Sequence, residues 1–565
     1  MSVVGLGRAG RLPSAIDETR LCGALLLVYL VIYLYFSARA AEYFPPYAWP
    51  HGDEGTYASY ATAPWTLIGD IFTGYPPKEH VNPYNLRGFL TPLAAAKALF
   101  GSSPLVGRYV LLGYGALLLL ATYKLASVVA RPTLALACVV LLSLSWPFIY
   151  FSHVMRPEIL LAAGTALGLA LVVANNTRPW PRRGLVLGLL SAGLIWVHLN
   201  ALFWPPMFAA LLVGATPSGH RRAALRGFVL GCAAFLAVYA LLNLWPARET
   251  LIRYGPWPVT FVSRSRIPLF STDLWEHSTA VLRLYAGFVL RALRFEDPDP
   301  VVNVARMATF CLFVTSAIAC LVWRRHGSTR VLAGVTSLLL VATLLLPNAK
   351  SEYTFYTFPL GFVLAAAALD RLPSVRLQVA VAALVLAVCG TSFVMVAQEE
   401  LRYWRAVTAH NRSTAERIAT LLEQLGPREE LTVMAVQEFH VVAHAAEIRT
   451  FHSVLATANL AASLQTIAPE VVILSPRTRQ LLLDLLLMAP DPRIESDVAE
   501  NAGRDALRAA GVLAGSNTNV EADRQHFNEY VDQQLAAAGY VRANAEHWLW
   551  NAEPMEVYVK RAAEN

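Results

Sequence analysis

Apolar runs of about 15 to 23 residues recur through the first 400 positions, at roughly 21–40, 104–123, 133–151, 157–174, 184–199, 201–215, 227–246, 301–323, 331–347, 355–369 and 377–397. A helix needs about 20 such residues to cross bilayer hydrocarbon, so these runs read as about eleven membrane spans. Two further apolar stretches, 88–100 and 279–293, are about 13 to 15 residues long and flanked by prolines or charges. That marks them as interfacial or re-entrant helices. The first span, Leu21 to Ala41, follows Arg8, Arg11 and Arg20 and lacks a cleavage site, the pattern of a signal anchor. From about 401 the pattern changes. Short β-rich runs at Leu431–Val436, Val471–Leu474 and Met555–Val559 alternate with helical stretches, and Gly426-Pro427 reads as the turn before the first strand. The expected fold is a mainly α-helical polytopic membrane domain over 1–400, with an outer loop at 41–103, followed by a soluble extracytoplasmic α/β domain over 401–565.

Composition narrows the class. Of 565 residues, 56% are hydrophobic and 15% charged, against about 25% charged in a typical soluble domain. A soluble multidomain enzyme and a disordered chain are both excluded. The formal charge of +7 divides into about +13 before residue 400 and about −6 after it, the asymmetry of a bilayer-embedded half and a solvated half. The basic excess belongs to topology, so no nucleic-acid partner is expected. Basic residues cluster in alternate connections: Lys124 with Arg131, Arg178 with Arg182 and Arg183, Arg221 with Arg222 and Arg226, Arg324 with Arg325 and Arg330, Arg371 with Arg376. The positive-inside rule makes these connections cytoplasmic, which puts the other connections and the C-terminal part outside a plasma membrane. The six cysteines, Cys22, Cys138, Cys232, Cys311, Cys320 and Cys389, all fall in apolar runs and suggest neither a disulfide framework nor a thiolate metal site. No phosphate-cradling glycine loop is present, so nucleotide binding is not expected.

The polar chemistry collects in the outer connections. In the first, Trp49-Pro50-His51-Gly52-Asp53-Glu54-Gly55-Thr56-Tyr57 sets two adjacent carboxylates beside the membrane. Such a pair suits proton transfer, one group taking the proton and the other orienting it or holding a cation. The other reading is a helix cap. In the second, Ser152-His153-Val154-Met155-Arg156-Pro157-Glu158 places an Arg and a Glu at a span end, where charges are costly unless paired or facing a site. Arg156 suits a phosphate through two parallel hydrogen bonds and Glu158 suits positioning it, against a purely structural ion pair. In a later hairpin, Asn348-Ala349-Lys350-Ser351-Glu352-Tyr353 carries one of only about five lysines in the chain. Either it meets an anion there or it snorkels beside an aromatic belt. Arg253, Arg264 and Arg266 lie in the fourth outer loop, suited to a lipid head group or to unselective lipid phosphate contacts. His198 and Asn200 interrupt an apolar run near an outer helix end and either line a sugar pocket or bond one another between helices.

The first outer loop continues through Pro76-Pro77-Lys78-Glu79-His80-Val81-Asn82-Pro83 to a short apolar helix ending Phe100-Gly101, and Gly107-Arg108 opens the next span. This order of features resembles the bacterial relatives of protein O-mannosyltransferases (family 39-like), within the GT-C superfamily of glycosyltransferases that use polyprenyl-phosphate sugars. The resemblance spans roughly residues 20 to 400 and rests on Asp53-Glu54, Pro76-Pro77 or Pro83, Phe100-Gly101 and Arg108. It departs at the family's lysine-proline-proline element, which Pro76-Pro77-Lys78 reverses. The resemblance implies an inverting transfer from a polyprenyl-phosphate sugar donor to a hydroxyl of a lipid, glycan or protein acceptor. In it Asp53 is the general base, Glu54 orients it, and Lys350 with Arg156 stabilises the leaving phosphate, with Arg264 and Arg266 near the lipid head group. His51, Tyr57, Glu158, His198 and Tyr353 are the candidates for substrate contact. No cofactor is expected. His51, Asp53, Glu54, Glu79 and His80 offer ligand-type side chains but match no metal signature, and no metal is assigned. Membrane lipids are the remaining partners. The rival class is a transporter or flippase of a lipid-linked or small polar solute, although transporters usually place polar groups at the midplane. A third reading is a membrane-anchored sensor or assembly factor in which the C-terminal part does the work.

Overall fold

The computed structural model describes residues 14–41, 87–101, 104–173, 179–245, 300–322, 327–344, 355–427, 431–435, 450–453, 464–465, 468–476, 479, 520–544, 548–550 and 553–561. The described helices are α1 (Ser14–Ala41), α2 (Arg87–Phe100), α3 (Pro104–Val129), α4 (Pro132–Leu144), α5 (Trp146–His153), α6 (Glu158–Val173), α7 (Trp180–Val197), α8 (Trp204–Ala215), α9 (Arg221–Tyr239), α10 (Pro300–Val322), α11 (Gly327–Leu344), α12 (Phe358–Leu369), α13 (Val375–Val385), α14 (Thr391–Leu425) and α15 (Val520–Ala537). Each of the eleven apolar runs falls on helix where it is described, and two of them, 133–151 and 377–397, are divided between successive helices. Large apolar side chains cover their outer faces, as at Leu27 and Phe36 on α1, both 65% exposed. Such surfaces belong in lipid, and the protein is a multi-pass, mainly α-helical membrane protein with a C-terminal α/β part.

The spans are less uniform than the runs. Among the described residues, Glu18–Ala41, Leu105–Val129, Ser218–Leu242 and Val375–Leu425 are long and apolar enough to cross alone, and α4 with α5 makes a fifth if their 67° bend lies within one span. Glu158–Val173 and Phe358–Leu369 are shorter. Proline explains the breaks. Pro147 sits in the first turn of α5 and Ser145 before it is extended (φ −70°, ψ 137°), because the ring forbids a helical partner upstream. The Ser145 amide and hydroxyl both donate to the Leu142 carbonyl, at 3.1 and 2.6 Å, which satisfies the broken end. Arg87–Phe100 forms a helix as expected for the first short stretch; the second, 279–293, lies outside the described residues.

Helices α7 and α9 approach most closely, through glycine on both sides. A Cβ placed at Gly184 would overlap the Ala224 carbonyl, one at Gly188 the Phe228 carbonyl, one at Gly227 the Pro181 carbonyl and one at Gly231 the Leu185 carbonyl. The four-residue spacing repeats on both helices, and where helices gain nothing from hydrophobic burial such backbone contact supplies the association.

The change of composition near residue 400 falls inside a helix. Chain 375–425 runs as α13, a π-helical turn (Leu386–Gly390) and α14, so continuous helix joins the apolar bundle to the C-terminal part. It ends at Gly426, whose φ of +143° only glycine adopts readily. The sheet follows, with β1 (Thr432–Ala435), β2 (Thr450–Ser453), β3 (Val471–Leu474), β4 (Tyr540–Arg542), β5 (Trp548–Trp550) and β6 (Glu553–Lys560). Its order is β2-β1-β3-β6-β4, parallel across β2, β1 and β3, antiparallel at β6, with β5 paired to β6. Ala415, Ile418 and Leu422 on one face of α14 are buried, and Thr414 Oγ1 donates to the Leu549 carbonyl at 2.8 Å. Between α15 and β6, Arg479 donates to Asp532 (2.5 Å), Glu556 (2.6 Å) and the Tyr558 hydroxyl (2.9 Å). Burial alone would lower its pKa, but the two carboxylates hold it above the ordinary arginine value.

The glycine contact gives a paired expectation. Gly188→Ala adds one methyl against the Phe228 carbonyl and costs about 1–3 kcal/mol, the range for overpacking. Gly214→Ala, with nothing within 4 Å of its added Cβ, is neutral. Thermal unfolding of both variants in detergent checks this, and equal melting temperatures would refute the close approach.

Candidate active site

Helix α5 is eight residues long and its end is the most polar buried place in the bundle. It stops at His153 because Arg156-Pro157 follows, and Val154, Met155, Arg156 and Glu158 are all buried. Leu160 and Leu161 amides bond the Pro157 carbonyl at 3.1 Å, which starts α6 with Glu158 in its first turn. There Arg156 grips Glu158 through two parallel bonds, Nε to Oε2 at 3.0 Å and Nη2 to Oε1 at 2.5 Å. Their side chains are 3% and 0% exposed, so the fork-to-fork geometry, not solvent, carries their charges.

Two more cations are buried close by. Arg108, fully buried near the start of α3, follows Gly107, where a Cβ would lie 2.6 Å from Met155 Sδ and 3.7 Å from Leu93 Cδ2 of α2. Lys97 lies one turn along α2 from Leu93, on the same face, and is 3% exposed. Helix α2, at 14 residues, is too short to span hydrocarbon, and burial pushes Lys97 down to about 8. Gly107 thus brings α3 and α2 against Met155, next to the Arg156–Glu158 pair, and Arg108 and Lys97 are buried on those two helices. Lys124, sixteen residues past Arg108 on α3, is about 24 Å away along the helix. The opposite end of the bundle carries the Arg131–Asp370 ion pair at 2.7 Å and the arginine-rich connections.

The structure places three of the candidate residues. Arg156 and Glu158 are together. His198 is half-buried as the extended C-cap of α7, beside the start of α2, where a Cβ at Gly88 would lie 3.0 Å from the Trp196 backbone. It occupies a helix end instead of the Arg156–Glu158 corner. His51, Asp53, Glu54, Tyr57, Arg264, Arg266, Lys350 and Tyr353 lie outside the described residues. The chain ends that lead to two of their segments are described. Helix α1, from which the Asp53-Glu54 loop departs after Ala41, meets α5 where His153 Nε2 lies 3.3 Å from the Ser37 carbonyl. The segment after Lys350 and Tyr353 returns at Phe355, whose ring lies 4.4 Å from that of Phe151 on α5, and at the buried Tyr356, 5.5 Å from Trp204. Trp204 in turn donates to Thr165 on α6 at 2.6 Å.

Sequence reasoning assigned Arg108 only to a motif and passed over Lys97 and His153. The available signal was a charged residue inside an apolar run, which by default marks a functional position.

No family model matches the chain, and no curated protein matches it. Solved structures with a similar chain path include the archaeal oligosaccharyltransferase AglB from Archaeoglobus fulgidus with an inhibitory peptide and a dolichol-phosphate, at 13% identity over 82% of this chain and 71% of that one, TM-score 0.47. ArnT from Cupriavidus metallidurans bound to undecaprenyl phosphate is similar at 12% identity over 96% of this chain and 98% of that one, TM-score 0.47. The arabinofuranosyltransferase AftD from mycobacteria is similar at 12% identity over 95% of this chain and 40% of that one, TM-score 0.45.

Two outcomes follow from the burial. Glu158→Gln removes the carboxylate that balances Arg156 and costs about 3–5 kcal/mol, while Arg156→Met with Glu158→Leu is close to neutral; chemical or thermal unfolding separates the two. Lys97 binds its proton more weakly folded than unfolded, so the unfolded chain holds more protons between about pH 8 and 10.5 and stability rises with pH across that window. Lys97→Met flattens the rise, and an unchanged pH profile of melting would contradict this origin.

Proposed function

We propose that the protein is a membrane glycosyltransferase that moves a sugar from a polyprenyl-phosphate carrier to a hydroxyl of a lipid, glycan or protein acceptor on the outer face of the plasma membrane. The observation that carries this reading is the buried Arg156–Glu158 pair. It lies beside the helix ends that lead to the Asp53-Glu54 loop and from the Lys350 hairpin, at the end of the bundle away from the arginine-rich connections. Positive-inside topology makes this end extracytoplasmic. Nucleotide sugars are scarce there, so the donor must arrive on a lipid.

The reaction needs three things from the chain. Asp53 takes the proton of the acceptor hydroxyl as its oxygen attacks the anomeric carbon, with Glu54 orienting the base. The bond from that carbon to the phosphate oxygen breaks on the opposite side, so the centre inverts. The electron pair leaves with polyprenyl phosphate, whose growing charge Arg156 and Lys350 neutralise. Glu158 holds the Arg156 fork in one orientation. Arg264 and Arg266 meet the head group, and His51, Tyr57, Tyr353 and His198 line the sugar or acceptor path. The polar groups gather at one end of the bundle, whereas a transporter would set them at the midplane.

The test is transfer or hydrolysis of polyprenyl-phosphate mannose, glucose and arabinofuranose by the purified protein. Expected is turnover with one donor, lost in Asp53→Asn while donor still binds, and weakened donor binding in Lys350→Ala. Absence of binding by any donor to the wild type would overturn the reading and direct the assay to solute transport.

A further inference from the structure

Between Glu158 and Glu249 the chain holds seven arginines and no carboxylate. Five of the seven stand on two neighbouring helices at one end of the bundle: Arg182 and Arg183 in the first turn of α7, and Arg221, Arg222 and Arg226 in the first two turns of α9. The two helices run parallel there, because their glycine contacts pair Pro181 with Gly227 and Leu185 with Gly231, four residues further along each. Helix α6 leaves the Arg156–Glu158 pair and α7 returns, so the arginines lie at the end of the bundle opposite that pair. Arg183 is buried, its guanidinium 4.2 Å from the centre of the Trp180 ring. Arg182, Arg221, Arg222 and Arg226 are exposed. Arg221 Nε donates to the Thr216 carbonyl at 3.1 Å, which balances no charge. The helices packed against α9 are α7 and α8, and neither carries an acidic residue. At the same end of the bundle Arg131 is answered within the chain, by Asp370 at 2.7 Å. Like charges this close repel, and the backbone contact between α7 and α9 keeps the two helices from spreading apart.

We propose that the outward edge of α9 binds an acidic phospholipid, its phosphate at Arg222 and Arg226 and an acyl chain along the helix beyond them. The two arginines are one turn apart and so share a face. Val229, Leu230 and Leu236 continue that face, and all three are exposed. The arrangement is a cationic head and an aliphatic body in the order a phospholipid presents its own two parts. An arginine stem lies on apolar surface while its guanidinium reaches the aqueous edge, and there the planar fork bonds two phosphate oxygens at once. Arg182, Arg183 and Arg221 add to the field without touching the lipid. That field selects the net charge of the head group, because a zwitterionic lipid brings an ammonium along with its phosphate and the arginines repel it. Soluble phosphate carries the charge but makes no use of the aliphatic face. An acidic protein segment likewise fits the arginines and leaves Val229, Leu230 and Leu236 to bulk lipid. The proposal rests on neither the donor nor the reaction argued above.

The test uses the full-length protein in detergent micelles titrated with phosphatidylglycerol or phosphatidylethanolamine, with bound lipid counted by native mass spectrometry. Expected is retention of phosphatidylglycerol by the wild type well above that of phosphatidylethanolamine. A basic residue near an anionic lipid contributes about 5-fold to affinity, so Arg222→Gln and Arg226→Gln each weaken retention about 5-fold and the double variant about 25-fold. The control is the double variant Lys124→Gln with Arg376→Gln, which removes the same charge from exposed positions on two other helices at the same end. It retains phosphatidylglycerol like the wild type. Melting temperatures without added lipid are expected to agree in all these proteins, since every changed residue is exposed, and should the Arg222/Arg226 double variant not fold, the two single variants decide. Equal retention of both lipids by the wild type overturns the proposal. Equal losses in the two double variants also overturn it, because they reduce the effect to unselective attraction by a basic surface. Displacement of phosphatidylglycerol by an equal concentration of soluble glycerol phosphate would assign the arginines to a free phosphate and overturn the lipid as occupant.

Discussion

Hydrocarbon cannot hydrate a charge or a hydroxyl, and that constraint organises the bundle. A guanidinium or carboxylate placed near lipid must be paired, engaged by the backbone or moved to an aqueous edge. The polar residues buried around α5 satisfy it together: Arg156 by Glu158, His153 Nδ1 by the Ile149 carbonyl, Ser145 by Leu142. Breaking the span at Ser145 is what makes this possible. The bend releases a short helix whose far end turns inward, so that its polar residues are sealed by α1, α3, α6 and the segment at Phe355. A straight span of the same sequence would carry Arg156 outward along its axis.

The soluble part meets the same constraint by different means. Its sheet buries Val471, Val472, Ile473 and Leu474 on both faces, as a strand between two layers requires, and Arg479 stays near solvent through Asp532, which is 56% exposed. Continuity comes from α14, whose first turns pack Phe393 on Phe362 inside the bundle while later turns lie under the sheet at Thr414. From Phe393 the rings continue through Phe362, Phe358 and Phe355 to Phe151. The C-terminal part is thereby built onto the same packing that surrounds α5.

Much of this was legible in the sequence, for physical reasons that also mark the limit. Apolar runs declare helices because every backbone group in lipid must bond within its own segment, and all eleven runs lie on helices. The strands at 432–435, 471–474 and 553–560 were readable from β-branched runs, and Gly426 from its turn. Where runs met proline, the pattern could not say whether a span would break, kink or shorten; that depends on whether a neighbour satisfies the freed carbonyl, as Ser145 does for Leu142. β2 and β5 are short strands whose pairing is decided by partners far along the chain. Arg156 and Glu158 were visible as charges at a span end, but their mutual bidentate grip was only one of two readings. Lys97 and His153 became visible only when α2, α3 and α5 converged on Met155.

That convergence bears on how polar groups are held inside an apolar bundle. Loops tolerate the variation that substrates demand but hold geometry poorly, and rigid elements hold geometry but offer few polar groups in lipid. Here two candidate segments, 42–86 and 345–354, lie outside the described residues, and the described chain beside each contacts α5: Ser37 on His153 before the first, Phe355 on Phe151 after the second. The ring contact is apolar packing beside the segment that carries Arg156, and the buried Arg156–Glu158 fork holds its charges by two parallel bonds instead of by solvent.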